Sequence, residues 1–325
     1  MASNWYSFYL SQLPALASID DLSSATRLSV DLLQGLLDSS DWHNYKVFEI
    51  PKRSGGRRTI CSPKKELAAV QVWILRHILE SIHLPSCAKA FRRGHGLAGN
   101  VEPHCRSSYF LSLDLQDFFS SVPYPFVFGV YSALGYSREM SQCLTRLCTF
   151  AGALPQGGIT SPALSNAVCI RLDRRMVACA GRLDVVYTRY ADDLTFSGES
   201  PSRLISMRRL ATQIIEDESF RVNPKKTRFS GPARRALITG LVIRNGSYGV
   251  PRESKRKVRA MLHRLYTQEL TQLERVKLSR CVDGWLSYMH SVDLESFNKL
   301  LEYEQLLRNQ AENANTLGRD GDAVN

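Results

Sequence analysis

The stretch Val185-Val186-Tyr187-Thr188-Arg189-Tyr190-Ala191-Asp192-Asp193-Leu194-Thr195-Phe196-Ser197 limits the fold more than any other part of the chain. Two runs rich in β-branched and aromatic residues flank a short polar tip, which is the pattern of a strand, a tight turn and a strand. The tip carries two adjacent carboxylates, Asp192 and Asp193. Held at one hairpin tip they repel each other, and a site that keeps both ionised has a cation beside them. A hard Mg²⁺ ion suits one or two protein carboxylates together with substrate phosphates. Asp is also an ordinary turn residue, so the pair alone reads equally well as a plain turn.

A carboxylate further upstream shifts that balance. In Tyr109-Phe110-Leu111-Ser112-Leu113-Asp114-Leu115, the three leucines share one face of a strand and Ser112 and Asp114 the other. Asp114 ends an otherwise apolar run and is followed by Gln116-Asp117-Phe118-Phe119. An acidic strand end and an acidic hairpin can gather three carboxylates around two metal ions, as phosphoryl or nucleotidyl transfer requires.

Four stretches then follow one another in order: Leu113-Asp114-Leu115-Gln116-Asp117-Phe118-Phe119, Leu154-Pro155-Gln156-Gly157, Tyr190-Ala191-Asp192-Asp193 and Asn223-Pro224-Lys225-Lys226-Thr227. The acidic hairpin alone is a weak signal. Preceded by Leu-Pro-Gln-Gly about 35 residues earlier, it is a strong one. On these residues the chain resembles reverse transcriptases, and among them the bacterial retron type. The resemblance implies an α+β, right-hand polymerase fold with fingers, palm and thumb, an antiparallel palm sheet and a helical thumb. It places N-terminal helices and fingers in residues 1–108, palm with inserted fingers helices in 109–236, and thumb in 237–310. Residues 311–325, rich in Asn, Asp and Gly without apolar period, are expected to be disordered.

What the resemblance implies for chemistry is RNA-directed DNA synthesis. Asp114 and Asp192 would hold two Mg²⁺ ions, with Mn²⁺ as the alternative, and Asp193 would assist. Arg58, in a basic Gly-rich hairpin of the fingers, is the candidate for the dNTP triphosphate, because guanidinium groups grip phosphate oxygens bidentately. Phe119 would lie under the incoming sugar and reject a 2′-hydroxyl, although Phe118 and Phe119 read equally as caps on the core. Gln156 would contact the nucleotide or template near the new base pair, the adjacent glycines letting backbone approach a ligand. Lys226 would neutralise or protonate the leaving pyrophosphate. Asn100-Val101-Glu102-Pro103-His104 resembles a motif specific to retron enzymes, with Val101 departing from its usual Ala. Asn100 and His104 are thus candidate contacts to structured RNA. Asn166 is a template-side candidate, and Thr239 lies in a second retron-like motif, Ile238-Thr239-Gly240. The helix after Pro251 carries Lys255, Arg256 and Arg259 on a positive face suited to a sugar–phosphate backbone.

The partners implied are a cognate structured noncoding RNA, its RNA–DNA product, dNTPs and a retron effector protein. The RNA would serve as template and would prime synthesis from an internal 2′-hydroxyl, giving branched multicopy single-stranded DNA within antiphage defence. Two further readings are a reverse transcriptase of the group II intron or diversity-generating type and a non-catalytic RNA-binding protein on a polymerase scaffold. Charge fits a nucleic-acid partner: the formal net charge is +11 and the pI about 9.4. No apolar run approaches the roughly 20 residues of a membrane span, and Met1-Ala2-Ser3-Asn4-Trp5-Tyr6 lacks the features of a signal peptide. The eight cysteines form no Cys-x-x-Cys pair, as expected of reduced residues in a cytoplasmic protein. Leucine spacing predicts a helix from Ser23 to Leu37, and apolar spacing predicts others over Leu67–Leu79, Ala163–Met176 and Ser200–Glu218.

Overall fold

The structure, a computed structural model, describes residues 13–52, 55–232, 236–244 and 246–321, the last eleven for backbone only. The chain forms two compact units, one of residues 1–96 and 110–229 and the other of 97–109 and 230–325. These boundaries differ from the sequence reading. The short segment Leu97–Tyr109 belongs with the C-terminal unit and not with the fingers.

The first unit opens with α1 (Ile19–Thr26), α2 (Val30–Asp38) and α3 (Asp41–Asn44). The single helix expected from Ser23 to Leu37 is broken. Arg27 takes a left-handed φ of 59° and ends α1, while Ser29 caps α2 by accepting from the Leu32 amide. Strands β1 (Tyr45–Pro51) and β2 (Arg57–Pro63) pair antiparallel as a hairpin, and α4 (Lys65–His77) follows. Leu67, Val70, Ile74 and Ile78 are all buried, as their spacing predicts.

A four-stranded sheet, ordered β4-β5-β3-β6, is the centre of this unit. Its strands are β3 (Tyr109–Asp114), β4 (Val186–Tyr190), β5 (Asp193–Gly198) and β6 (Arg228–Ser230). Helices α6 (Tyr124–Ala133), α7 (Arg138–Cys148), α8 (Ser161–Val168), α9 (Ile170–Arg182) and α10 (Pro201–Asp217) belong to the same unit, α5 being the short helix Leu97–Val101 of the other. Leu111, Leu113, Leu115, Leu194 and Phe196 are buried in the sheet, and α9 and α10 bury Leu172, Met176, Leu204, Met207, Ala211 and Ile215. The expected helix Ala163–Met176 is two helices, with the turn between them at Cys169.

The second unit holds α5 and a three-stranded sheet ordered β7-β8-β9 (Leu237–Ile238, Leu241–Arg244, Ser247–Gly249). Three helices follow: α11 (Arg252–Thr267), α12 (Gln272–Val292) and α13 (Leu294–Gly321). Val258, Leu262 and Leu265 form the buried stripe of α11. Asp293, at the end of α12, accepts from the amides of Val250 and Ser296 and pairs with Lys255 at 2.8 Å. The tail from Ala311, expected to be disordered, continues α13 to Gly321. Among the described residues no helix is long and apolar enough to cross a membrane.

Candidate active site

The catalytic candidates are set by how three chain segments end. Tyr190 pairs with Asp193, so β4 and β5 are joined by a two-residue turn of Ala191 and Asp192. Ala191 has a φ of 57°, the left-handed value that the first central residue of a mirror-type hairpin turn needs. The Leu115 amide donates to the Asp192 carbonyl at 2.9 Å, which ties this turn to the end of β3. On the other side the Asn223 amide donates to the Asp114 carbonyl at 2.8 Å, and the Gln116 amide to the Arg221 carbonyl at 2.8 Å. Asp114 is therefore held between the hairpin and the segment that carries Lys226.

The electrostatics follow from this crowding. Burial, then the charge of Asp114, pushes the Asp192 carboxyl above its usual range. Asp193 keeps an outer edge in solvent, yet burial of its inner side and the charges of Asp192 and Asp114 push it up to about 6. The Lys226 ammonium lies 2.7 Å from Asp114 Oδ2, and that hydrogen bond raises its own pKa. The opposing charges of Lys226 and Arg228 moderate the rise at Asp193; sequence reasoning gave Arg228 no role.

The three carboxylates lie near enough to act on one another without forming a ready metal cage. Among the described residues no three His, Cys, Asp or Glu side chains are gathered closely enough to hold a metal ion. The Lys226 ammonium sits on one Asp114 oxygen and relieves part of the repulsion there. The donors that remain are oxygen atoms of Asp114, Asp192 and Asp193, and their mutual repulsion exceeds what one ammonium offsets. Such a set fits a hard divalent cation.

Around this centre the other candidates divide. Phe118 is core, 5% exposed, whereas Phe119 is half-buried, with its ring 5.5 Å from Phe118 and 6.3 Å from Phe91. Arg58 is exposed on β2 opposite Ile50, next to Arg57, which pairs with Glu49 at 3.0 Å. Gln156 is half-buried, and its carbonyl accepts from the Cys61 amide of β2 at 2.8 Å. The adjacent glycines allow close approach, but to protein. A Cβ on Gly157 (φ 113°) would lie 2.8 Å from Ile60 Cγ2 and 3.1 Å from the Cys61 carbonyl, and one on Gly158 would lie 2.5 Å from Ser161 Oγ.

Four nucleic-acid candidates are buried or engaged within the protein. Asn166 is buried, its amide donating to the Ala90 carbonyl and its oxygen accepting from Arg189, so both ends are engaged inside the protein. Asn100 and His104 are each 0% exposed within the second unit, where Asn100 donates to Thr239 Oγ1 at 3.4 Å. Lys255 is engaged with Asp293 and Ser296, so its charge serves α11 and α12. Thr239 stays half-buried with a left-handed φ of 46°. Arg256 is exposed, and the exposed Arg259 lays its guanidinium 4.1 Å from the Tyr303 ring centre.

Sequence reasoning missed the side chains beneath the hairpin. Arg189 and Asp173 are completely buried and doubly hydrogen-bonded, at 2.8 and 2.7 Å. The available signal was an arginine and an aspartate within apolar surroundings, on a strand and on a helix both destined for the core.

A family profile described as reverse transcriptase (RNA-dependent DNA polymerase) matches residues 50–259. The chain is 37% identical over 293 residues to the Retron Ec86 reverse transcriptase of Escherichia coli, covering 90% of this chain and 89% of that protein. It is 34% identical over 309 residues to the Retron Mx65 reverse transcriptase of Myxococcus xanthus, covering 89% and 71%. Among solved structures, a foamy viral protease-reverse transcriptase in complex with double-stranded DNA is 20% identical with a TM-score of 0.48, over 85% of this chain and 40% of that one.

Proposed function

The chain belongs to the reverse transcriptase family, as an RNA-directed DNA polymerase of the retron type with the right-hand polymerase fold, and from this premise we propose that Asp114, Asp192 and Asp193 form its metal-holding centre. One observation carries the assignment: the end of β3 and the Ala191-Asp192 turn are bonded to each other, with the Lys226 ammonium against Asp114. The family generally uses divalent metal ions, and the reading here is two Mg²⁺ ions. When bound, they supply Lewis-acid activation of the attacking hydroxyl and charge neutralisation on the triphosphate.

The protein's own part is positioning and charge. Asp114 and Asp192 offer hard oxygen ligands, and Asp193 adds negative charge beside them. Lys226 is a mobile cation for the leaving pyrophosphate. Arg58, exposed on the fingers hairpin, grips the triphosphate. Phe119 presents a half-exposed ring against the sugar, and Gln156 serves the new base pair. Thr239, Arg256 and Arg259 contribute to nucleic-acid binding on the second unit.

The proposed template is a cognate structured RNA, which also supplies a 2′-hydroxyl as primer, so that the product is branched RNA–DNA made in the cytoplasm for antiphage defence with an effector protein. The names of the retron relatives and the basic charge support this reading. To test it, the protein is purified with its co-expressed upstream region, and the bound nucleic acid is treated with RNase and debranching enzyme beside an Asp192→Ala/Asp193→Ala variant. Single-stranded DNA on a debranchable RNA link, lost in the variant, is the expected result. Polymerisation on primed RNA without a branched product would remove the branched-product reading. An active variant would remove the metal-site assignment.

A further inference from the structure

The catalytic turn has two carbonyls, and each is held. The Asp192 carbonyl accepts from the Leu115 amide of the neighbouring strand at 2.9 Å. The Ala191 carbonyl accepts from Arg189 Nη1 at 3.1 Å. The same nitrogen donates to Asn166 Oδ1 at 3.0 Å. The other two guanidinium bonds go to one carboxylate: Nε to Asp173 Oδ1 at 2.8 Å and Nη2 to Asp173 Oδ2 at 2.7 Å. Tyr187 also donates to Asp173 Oδ1, at 2.9 Å. Asn166 is anchored in turn on the Ala90 carbonyl at 2.9 Å. The backbone of Arg189 is fixed as well, since its amide donates to the Cys87 carbonyl and its carbonyl accepts from the Lys89 amide, both at 2.8 Å.

We propose that Arg189 is a positioning residue for DNA synthesis, its buried guanidinium holding the Ala191 carbonyl and so fixing the turn that presents Asp192 and Asp193. Packing alone gives no reason for this arrangement. Arg189, Asp173 and Asn166 are each no more than 1% exposed. A fully buried ion pair contributes little net stability compared with apolar side chains of the same volume. What an apolar replacement cannot supply is a planar donor fork with one prong on a carbonyl of the turn. Ala191 is left-handed, a conformation that an L residue adopts only when its surroundings over-determine it. With both carbonyls pinned, the peptide planes on either side of Asp192 are set, and with them the direction of its carboxylate. Arg189 acts through the turn and touches neither substrate nor metal.

The inference rests on the reading of Asp192 and Asp193 as metal ligands, so the experiment separates the two. Mn²⁺ binding is followed by electron paramagnetic resonance, polymerisation is followed on primed RNA, and folding is followed by thermal melting. Two variants carry the test: Arg189→Lys, and the apolar Tyr187→Phe/Asp173→Leu/Arg189→Met, which leaves no orphaned charge. In a variant that melts as a folded protein, Mn²⁺ affinity is expected to fall about 10- to 100-fold. The kcat should fall with it, while KM for the primed template stays unchanged. A folded variant with wild-type Mn²⁺ affinity and kcat overturns the proposal. So does failure of both variants to fold, because the pair would then hold the core and not the turn. An Asp192→Asn control that binds Mn²⁺ as wild type overturns the metal-ligand reading instead, whatever the Arg189 variants do.

Discussion

Lys226 and Asp114 form the most consequential single contact in the first unit, an ammonium 2.7 Å from a carboxylate that is almost entirely buried. On the proposed reading of Asp114 as a metal ligand, Lys226 would compete with a divalent cation for the same oxygen. Lys226→Met should therefore bind Mn²⁺ more tightly in a paramagnetic titration, while single-turnover incorporation slows by about 10²-fold or more if Lys226 serves the leaving group. Asp193 gives a pH signature. Its carboxyl stands at about 6 in the folded chain against an ordinary 3.8, so the folded state favours the protonated form. The resulting stability is complete below the ordinary value and is lost as pH rises through about 6. Metal-free protein should lose melting temperature across that interval, and Asp193→Asn should flatten that part of the curve. Phe119→Ala should admit ribonucleotides, read as the ratio of rNTP to dNTP incorporation. Legibility differs sharply at this scale. The places of Asp114 at a strand end and of Asp192 and Asp193 at a hairpin were readable because each is a local pattern. The burial of Asn100, His104 and Asn166 was not, because it depends on segments distant in sequence, such as Ala90 against Asn166.

Among the elements, the β1–β2 hairpin and the loop of residues 154–157 are bonded and closely packed. The Cys61 amide of β2 donates to the Gln156 carbonyl, and Gly157 lies so close to β2 that a side chain has no room. Gly157→Ala adds a steric clash to a φ of 113°, a conformation strained for any L residue. It should cost about 1–3 kcal/mol in chemical denaturation and slow synthesis by shifting Gln156 relative to the hairpin. The helices illustrate what periodicity reveals and what it hides. α4 was legible from Leu67, Val70, Ile74 and Ile78, because one helix buries one stripe. The breaks at Arg27 and Cys169 were not, because leucine spacing runs across them and the left-handed residue at Arg27 is neither Gly nor Asn. The α11 stripe was read correctly, yet its positive face divides. Lys255 is bound to Asp293, whereas Arg256 is exposed.

For the whole molecule, a net charge of +11 makes RNA affinity depend on salt. The logarithm of the binding constant should fall linearly with the logarithm of salt concentration, and Arg256→Ala should reduce that slope by about 1 if Arg256 meets a phosphate. Lys255→Ala should instead lower the melting temperature, since it leaves the Asp293 carboxylate, 7% exposed, without its cation. The order of the strand-end aspartate, the Leu-Pro-Gln-Gly loop and the acidic hairpin was legible from the sequence. The assignment of Leu97–Tyr109 to the second unit was not, because it depends on contacts made with residues more than a hundred positions later, such as Asn100 with Thr239. That interleaving bears on how such proteins can be inherited. A unit assembled from one short stretch before β3 and one long stretch after β6 cannot be swapped as a cassette by a single crossover. A graft of residues 230–325 from a relative would meet a resident Leu97–Tyr109 matched to different neighbours. The two stretches must change in step, so lineages should diverge by paired substitution, and chimaeras should fold only when both pieces come from the same parent.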